Sequence, residues 1–268
     1  MDSRCASSGQ IREALESIGV ALSDITEIVD KISRNTSGLL LYGSRARGDY
    51  LPTSDFDILR LSFLGMPTFS VGNVSISSYT PVQLESASRT LYGTHIQRDG
   101  RVILDPTGRL REIVESLNPA DPDTLIETVH AYSVVLNQPI EERQAHLPGL
   151  TRLARYLLRT AVYARSMKAG KPCFSVRELA SRFRDPALAT ILASNPEITG
   201  PPSMELLEEL VLRLTKEAGA LPRNQHSSLQ HLAVAMWDSD RLISALALRA
   251  EDENTDGFDY SDLPKVLL

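Results

Sequence analysis

Two carboxylates separated by one residue, Asp55 and Asp57, stand about a dozen residues after a glycine-serine pair, Gly43-Ser44. The run between them is Arg45-Ala46-Arg47-Gly48-Asp49-Tyr50-Leu51-Pro52-Thr53-Ser54. On a strand, residues two apart face the same side, so Asp55 and Asp57 point together while Phe56 points into a core. Two carboxylates set this way suit Mg²⁺, which takes oxygen ligands and binds through a few carboxylates plus substrate phosphates. Gly43 lets the backbone turn and come close to a ligand without a Cβ in the way. Ser44 follows with a hydroxyl and an amide at what reads as the start of a short helix, where unpaired N–H groups and the helix dipole attract phosphate. Arg45 and Arg47 add positive charge beside it.

The elements that must position these groups are legible around them. Leu39 to Tyr42 is a short apolar run that reads as a buried strand ending at Gly43, and Ile58 to Leu61 continues a second one after Asp57. Ile11 to Ile32 carries apolar residues at helical spacing and reads as two helices broken near Gly19. A third strand is expected over Asn73 to Tyr79, and Pro81 to Arg89 reads as a helix opening on proline. Tyr92 to Gln97 and Arg101 to Leu104 flank Asp99-Gly100 and read as a hairpin. Gly108 to Leu117 is helical in pattern. Asn118 to Asp123, rich in Pro and Asp, is the expected domain boundary. Helices are expected beyond it over 123–136, 150–169, 175–183, 186–193, 204–219 and 227–250.

The ordered set of Gly43-Ser44, a basic loop and Ser54-Asp55-x-Asp57 resembles the signature of the DNA polymerase β-like nucleotidyltransferase superfamily, with the minimal and aminoglycoside-type enzymes the nearest in pattern. The resemblance implies an α+β fold: a mixed nucleotidyltransferase sheet with flanking helices over residues 1–118, followed by an all-α domain over 119–250. It implies transfer of a nucleoside monophosphate from an NTP to an acceptor hydroxyl on a small molecule, protein or tRNA, with release of pyrophosphate. Asp55 and Asp57 would be the catalytic metal ligands. Gly43, Ser44, Arg45 and Arg47 would serve the phosphates, and the nucleotide would lie between the two domains.

The resemblance also implies a third carboxylate on a following strand. Asn73 to Tyr79 carries Ser75 and Ser77 there, and no Asp or Glu occurs between Asp57 and Glu85. Three readings stay open: an acid from elsewhere activates the acceptor, one well-held Mg²⁺ suffices, or the domain binds nucleotide and acts through a partner without turnover. Asp105, Asp99, Glu127 and His130 are the candidates for the missing group.

In the helical half, Arg152, Arg155 and Arg159 recur at spacings of three and four and share a helix face. They read equally as a cationic wall for phosphates, with Arg155 and Arg159 as nucleotide-binding candidates, or as a solvated face with Glu141 and Glu142 as partners. Tyr156, Tyr163, Phe174 and Trp237 read as core. Ser175 and Glu178 have capping-box spacing.

The 268 residues carry 28 Lys and Arg against 34 Asp and Glu, a net charge of −6, which argues against a protein that coats long nucleic acid. No stretch has the length and hydropathy of a membrane span, and the N-terminus lacks a basic-then-apolar secretory pattern, so the cytoplasm is the expected compartment. Cys5 and Cys173 have no metal-ligand spacing and read as ordinary thiols. Residues 251–268 are acidic and read as a flexible tail.

Overall fold

The computed structural model describes residues 5–193 and 200–251. The chain divides into two compact units between Ala120 and Asp121. The acidic segment lies outside the described residues except for Glu251.

The first unit is built on a five-stranded mixed sheet of order β3-β4-β2-β1-β5, with β1 Thr36–Tyr42, β2 Phe56–Ser62, β3 Phe69–Val71, β4 Val74–Tyr79 and β5 Arg101–Leu104. β1 pairs antiparallel with β2 and β5, β3 pairs antiparallel with β4, and β2 pairs parallel with β4. Both faces are covered, so β1 and β2 read as continuous apolar runs rather than alternating ones. On one face, Leu39, Leu41, Phe56, Ile58, Val74 and Ile76 pack under Ile11, Leu15, Ile25, Ile28 and Ile32. The last five come from helices α1 (Ser8–Ser17) and α2 (Leu22–Ile32). On the other, Leu40, Tyr42, Leu59, Leu61 and Tyr79 pack under Leu84, Tyr92, Ile96, Leu110 and Ile113. These belong to α4 (Pro81–Glu85), α5 (Leu91–Asp99) and α6 (Arg109–Ser116), while the five-residue α3 (Gly43–Arg47) follows β1 directly. This is an α+β architecture, as the motif resemblance implies.

The hairpin expected at Asp99-Gly100 is not formed. Residues 91–99 are helical because Thr90 caps them: its Oγ1 accepts from the Gly93 amide at 3.0 Å. In this helix Tyr92 and Ile96 are an i, i+4 pair, both buried under the sheet. Arg101–Leu104 is a strand, but its partner is β1. The short strand β3 was not anticipated.

The second unit is helical: α7 Pro122–Tyr132 with a 3₁₀ turn Ser133–Leu136, α8 Ile140–Ala145, α9 Leu147–Lys168, α10 Val176–Arg182, α11 Pro186–Ile191, α12 Met204–Ala218, α13 Leu229–Met236 and α14 Arg241–Glu251. The 22-residue α9 is its axis, burying Leu150, Leu153, Leu157, Leu158 and Ala161. Tyr156, Tyr163 and Phe174 are core residues, with the Tyr163 and Phe174 rings edge-to-face at 5.3 Å. The single helix expected over 227–250 is two, because the Asp240 carboxylate accepts from the amides of Leu242 and Ile243 and starts a new one. Trp237, expected in the core, lies at that break and is 57% exposed. No helix among the described residues is long and apolar enough to cross a membrane.

Candidate active site

The site grows from the junction of β1 and α3. The chain leaves Tyr42 extended, and Gly43 takes φ +74°, which L side chains adopt at a cost of about 1–2 kcal/mol. A Cβ at Gly43 would also collide with Asp57 Oδ2 and come within 3.3 Å of its Cγ. Tyr42 and Asp57 are register partners on β1 and β2, so the carboxylate stands directly against the Gly43 turn. Phe56 is buried in the opposite face, as strand geometry requires, and Asp55 precedes the strand and is exposed. The Ser44 hydroxyl makes no hydrogen bond to a described residue. α3 ends at Gly48, which is left-handed (φ +83°) and returns its N–H to Ser44 O at 2.9 Å.

Both arginines of α3 are engaged with the protein. The Arg45 guanidinium lies between two rings, 3.8 Å from the Phe56 centroid and 4.8 Å from that of Tyr50, and its Nε donates to Ser54 O at 2.9 Å. It thereby ties the loop carrying Asp55 to α3, just after the Gly43 turn. Arg47 reaches the other way. Its Nε is 3.2 Å from Asp49 Oδ1, and its Nη1 is 3.1 Å from His95 Nε2 and 3.7 Å from Asp99 Oδ2. This fastens α3 to α5. The sequence suggests phosphate ligands at these positions; the structure shows two braces, whose partners at Phe56, His95 and Asp99 no local pattern reveals.

His95 is the electrostatic key of the second brace. Burial, then the Arg47 and Arg98 guanidinium groups, push its pKa down to about 3. The imidazole is therefore neutral, and Arg47 donates to Nε2, which puts the ring proton on Nδ1. The unfolded chain takes up a proton near 6.5 that the native ring refuses until about 3, so His95 stability is complete above 6.5 and drains as pH falls through that window. Asp99, 7% exposed and raised from 3.8 chiefly by burial, contributes with the opposite sign, its share being present at low pH and lost as pH rises through its raised value. A His95→Gln variant, whose amide oxygen still accepts from Arg47, is expected to show a flatter denaturation midpoint between pH 6.5 and 4 than the parent.

Asp57 pairs with Ser75 across the parallel β2–β4 register, and Leu59 pairs with Ser77, so hydroxyls neighbour Asp57 on that side. The other acids are occupied: Asp105 Oδ2 accepts from the Arg111 amide at 2.9 Å and caps α6, and Asp99 serves the Arg47 brace. On the second unit His130 Nε2 donates to Ala220 O at 2.9 Å and Glu127 is exposed. Among the described residues no group of three or more His, Cys, Asp or Glu is arranged to hold a metal ion. Arg155 and Arg159 lie on α9 of the second unit. Arg155 Nε donates to Ile191 O at 2.9 Å and Arg159 donates to Leu192 O, so both guanidinium groups close the C-terminal end of α11.

The sequence model of the nucleotidyltransferase domain family matches residues 22–62. That span runs from the first residue of α2 through β1, the Gly43-Ser44 turn and Asp55-x-Asp57 to the end of β2. No curated protein sequence matches the chain. Among solved structures, spectinomycin adenyltransferase AAD(9) from Enterococcus faecialis, determined with ATP and spectinomycin, is 13% identical, covering 92% of this chain and 100% of its own at a TM-score of 0.31. A nucleotidyltransferase-like protein from Exiguobacterium sibiricum 255-15 is 15% identical, with 86% and 81% covered and a TM-score of 0.30. At such TM-scores the assignment rests on the matched segment and on the sheet itself. The matched segment is the part of the first unit that carries the Gly43 turn and the two carboxylates. The resemblance to the DNA polymerase β-like superfamily holds over the segment that bears the site.

Proposed function

We propose that the chain is a Mg²⁺-dependent nucleotidyltransferase that moves a nucleoside monophosphate from an NTP to an acceptor hydroxyl and releases pyrophosphate. The observation that carries this reading is the abutment of Asp57 on the Gly43 turn, which sets a carboxylate directly against a backbone turn that has no side chain of its own. Two carboxylates on one short segment fit a hard cation that completes its shell with water and phosphate oxygens. Asp55 and Asp57 would hold it, and when bound it would supply positive charge at the phosphate oxygens. The side-chain-free Gly43 admits the triphosphate close to the backbone, and the Ser44 hydroxyl donates to it. Arg45 and Arg47 hold the turn between the Asp55 loop and α5, so catalysis rests on positioning and fixed charge. The acceptor oxygen attacks the α-phosphorus and gives up its proton to solvent, the bond to the bridging oxygen breaks, and pyrophosphate leaves with that electron pair.

One observation favours a second reading. Ser75 stands opposite Asp57 and supplies no base for the acceptor proton. A unit so built could bind Mg-NTP and act through a partner without turnover. Calorimetry with each Mg-NTP, followed by pyrophosphate release in the presence of a lysate and labelled NTP, separates the two. The transferase reading expects binding, pyrophosphate and label on an acceptor. Binding without either product supports the second reading, and absence of binding removes both.

A further inference from the structure

The loop between the Gly43 turn and the carboxylates carries a feature that the metal site does not use. Tyr50 is 49% exposed and Leu51 37%, on a segment tied down at several points. The Leu51 amide donates to Ser54 Oγ at 2.9 Å and the Ser54 amide to Leu51 O at 2.9 Å, closing a tight turn. Arg45 Nε donates to Ser54 O, and its guanidinium rests on Phe56, itself 4% exposed in the core. The Tyr50 ring lies against the outer side of that guanidinium, 4.8 Å away. Phe56, Arg45 and Tyr50 thus form a stack that starts in the core and ends in an aromatic ring half open to solvent.

An exposed ring backed by a fixed cation is a preorganised surface. It contributes little to packing, yet its orientation is set before any ligand arrives. The same Arg45 that carries the ring holds the carbonyl of Ser54, the residue before Asp55, so Tyr50 and the start of the carboxylate pair are gathered around one guanidinium. We propose that Tyr50 is the stacking platform for the nucleobase of the bound nucleotide, an inference that rests on the nucleotidyltransferase reading. A π-face is common to every base, so the platform recognises a base without selecting one, and purines stack better than pyrimidines.

The test compares Mg-ATP with Mg-tripolyphosphate, which carries the phosphates without the base, by calorimetry on the full chain. The parent is expected to bind Mg-ATP at least about tenfold more tightly than Mg-tripolyphosphate. Tyr50→Ser should collapse that ratio towards one while leaving tripolyphosphate affinity unchanged, and Tyr50→Phe should keep it. Circular dichroism and thermal unfolding of both variants should match the parent, since the ring is half exposed. The proposal is overturned if the two ligands bind the parent equally, or if Tyr50→Ser leaves the ratio intact. In either case the transferase reading stands, because tripolyphosphate still binds. If neither ligand binds, that reading fails and takes the platform with it.

Discussion

Asp57→Asn is expected to abolish pyrophosphate release, lowering the rate by at least about a thousandfold, while thermal unfolding stays near that of the parent. The carboxamide keeps the shape of the side chain and loses the negative charge, so any cation and the triphosphate it accompanies lose their anchor. Asp55→Asn removes the outer half of the pair and should cost less alone; the double variant should be no worse than Asp57→Asn by a further large factor, because the two act as one unit. Gly43→Ala is the companion substitution. It leaves both carboxylates in the sequence but forces a methyl onto Asp57 Oδ2 at a backbone φ of +74°. Either the turn flattens or the carboxylate moves, and nucleotide binding is lost in both cases. The measurements are Mg-NTP calorimetry and pyrophosphate release on each folded variant. A folded Asp57→Asn or Gly43→Ala protein with parental turnover would place the chemistry elsewhere in the chain.

The parts of this site that sequence reveals are those whose physics is local. The strand period puts Asp57 on the side opposite Phe56, while Asp55 falls just before the strand, and Gly43 marks a positive φ before a helix start; all of this is written within fifteen residues. The limits are equally physical. Arg45 and Arg47 look like phosphate ligands because cations beside a phosphate turn usually are. Their actual partners come from residue 56 and from a helix beginning at residue 91. That helix was itself hidden, since Asp99-Gly100 reads as a hairpin turn, and the decisive signal is the Thr90 side chain capping Gly93. Arg155 and Arg159 share a face as their spacing requires, yet the carbonyls of Ile191 and Leu192 that receive them belong to a helix more than thirty residues away. The cost of an unsatisfied helix end outweighed the pattern of the helix that supplied the donors.

Arg60→Met is expected to destabilise the protein by about 3–5 kcal/mol, because Arg60 is a buried charge rather than a surface one. It lies in the middle of β2 with no exposed area, in a strand otherwise read as apolar. Its Nε donates to Thr36 Oγ1 at 2.7 Å, Nη2 to Arg34 O at 2.6 Å and Ile32 O at 3.3 Å, and Nη1 faces Met66 Sδ at 2.8 Å and Ser78 Oγ at 3.5 Å. The guanidinium therefore closes the C-terminal end of α2, where carbonyls lack intrahelical partners and the dipole is negative. Burial lowers its pKa, but an arginine stays charged, and the helix end with its carbonyls is what balances that charge. Methionine fills a similar volume while leaving the Arg34 carbonyl and the Thr36 hydroxyl short of a donor. Lysine keeps the charge with fewer, unforked donors and should recover only part of the loss. Urea unfolding decides the matter: a lower midpoint at unchanged slope is the expected outcome. If Arg60→Met were as stable as the parent, desolvation of the guanidinium would be cancelling all five contacts, and the arginine would owe its place in β2 to something other than stability. Because β2 begins at the Asp55-x-Asp57 pair, the same variant should leave Mg-NTP affinity intact at temperatures where it remains folded, which separates the strap at the far end of the strand from the chemistry at its start.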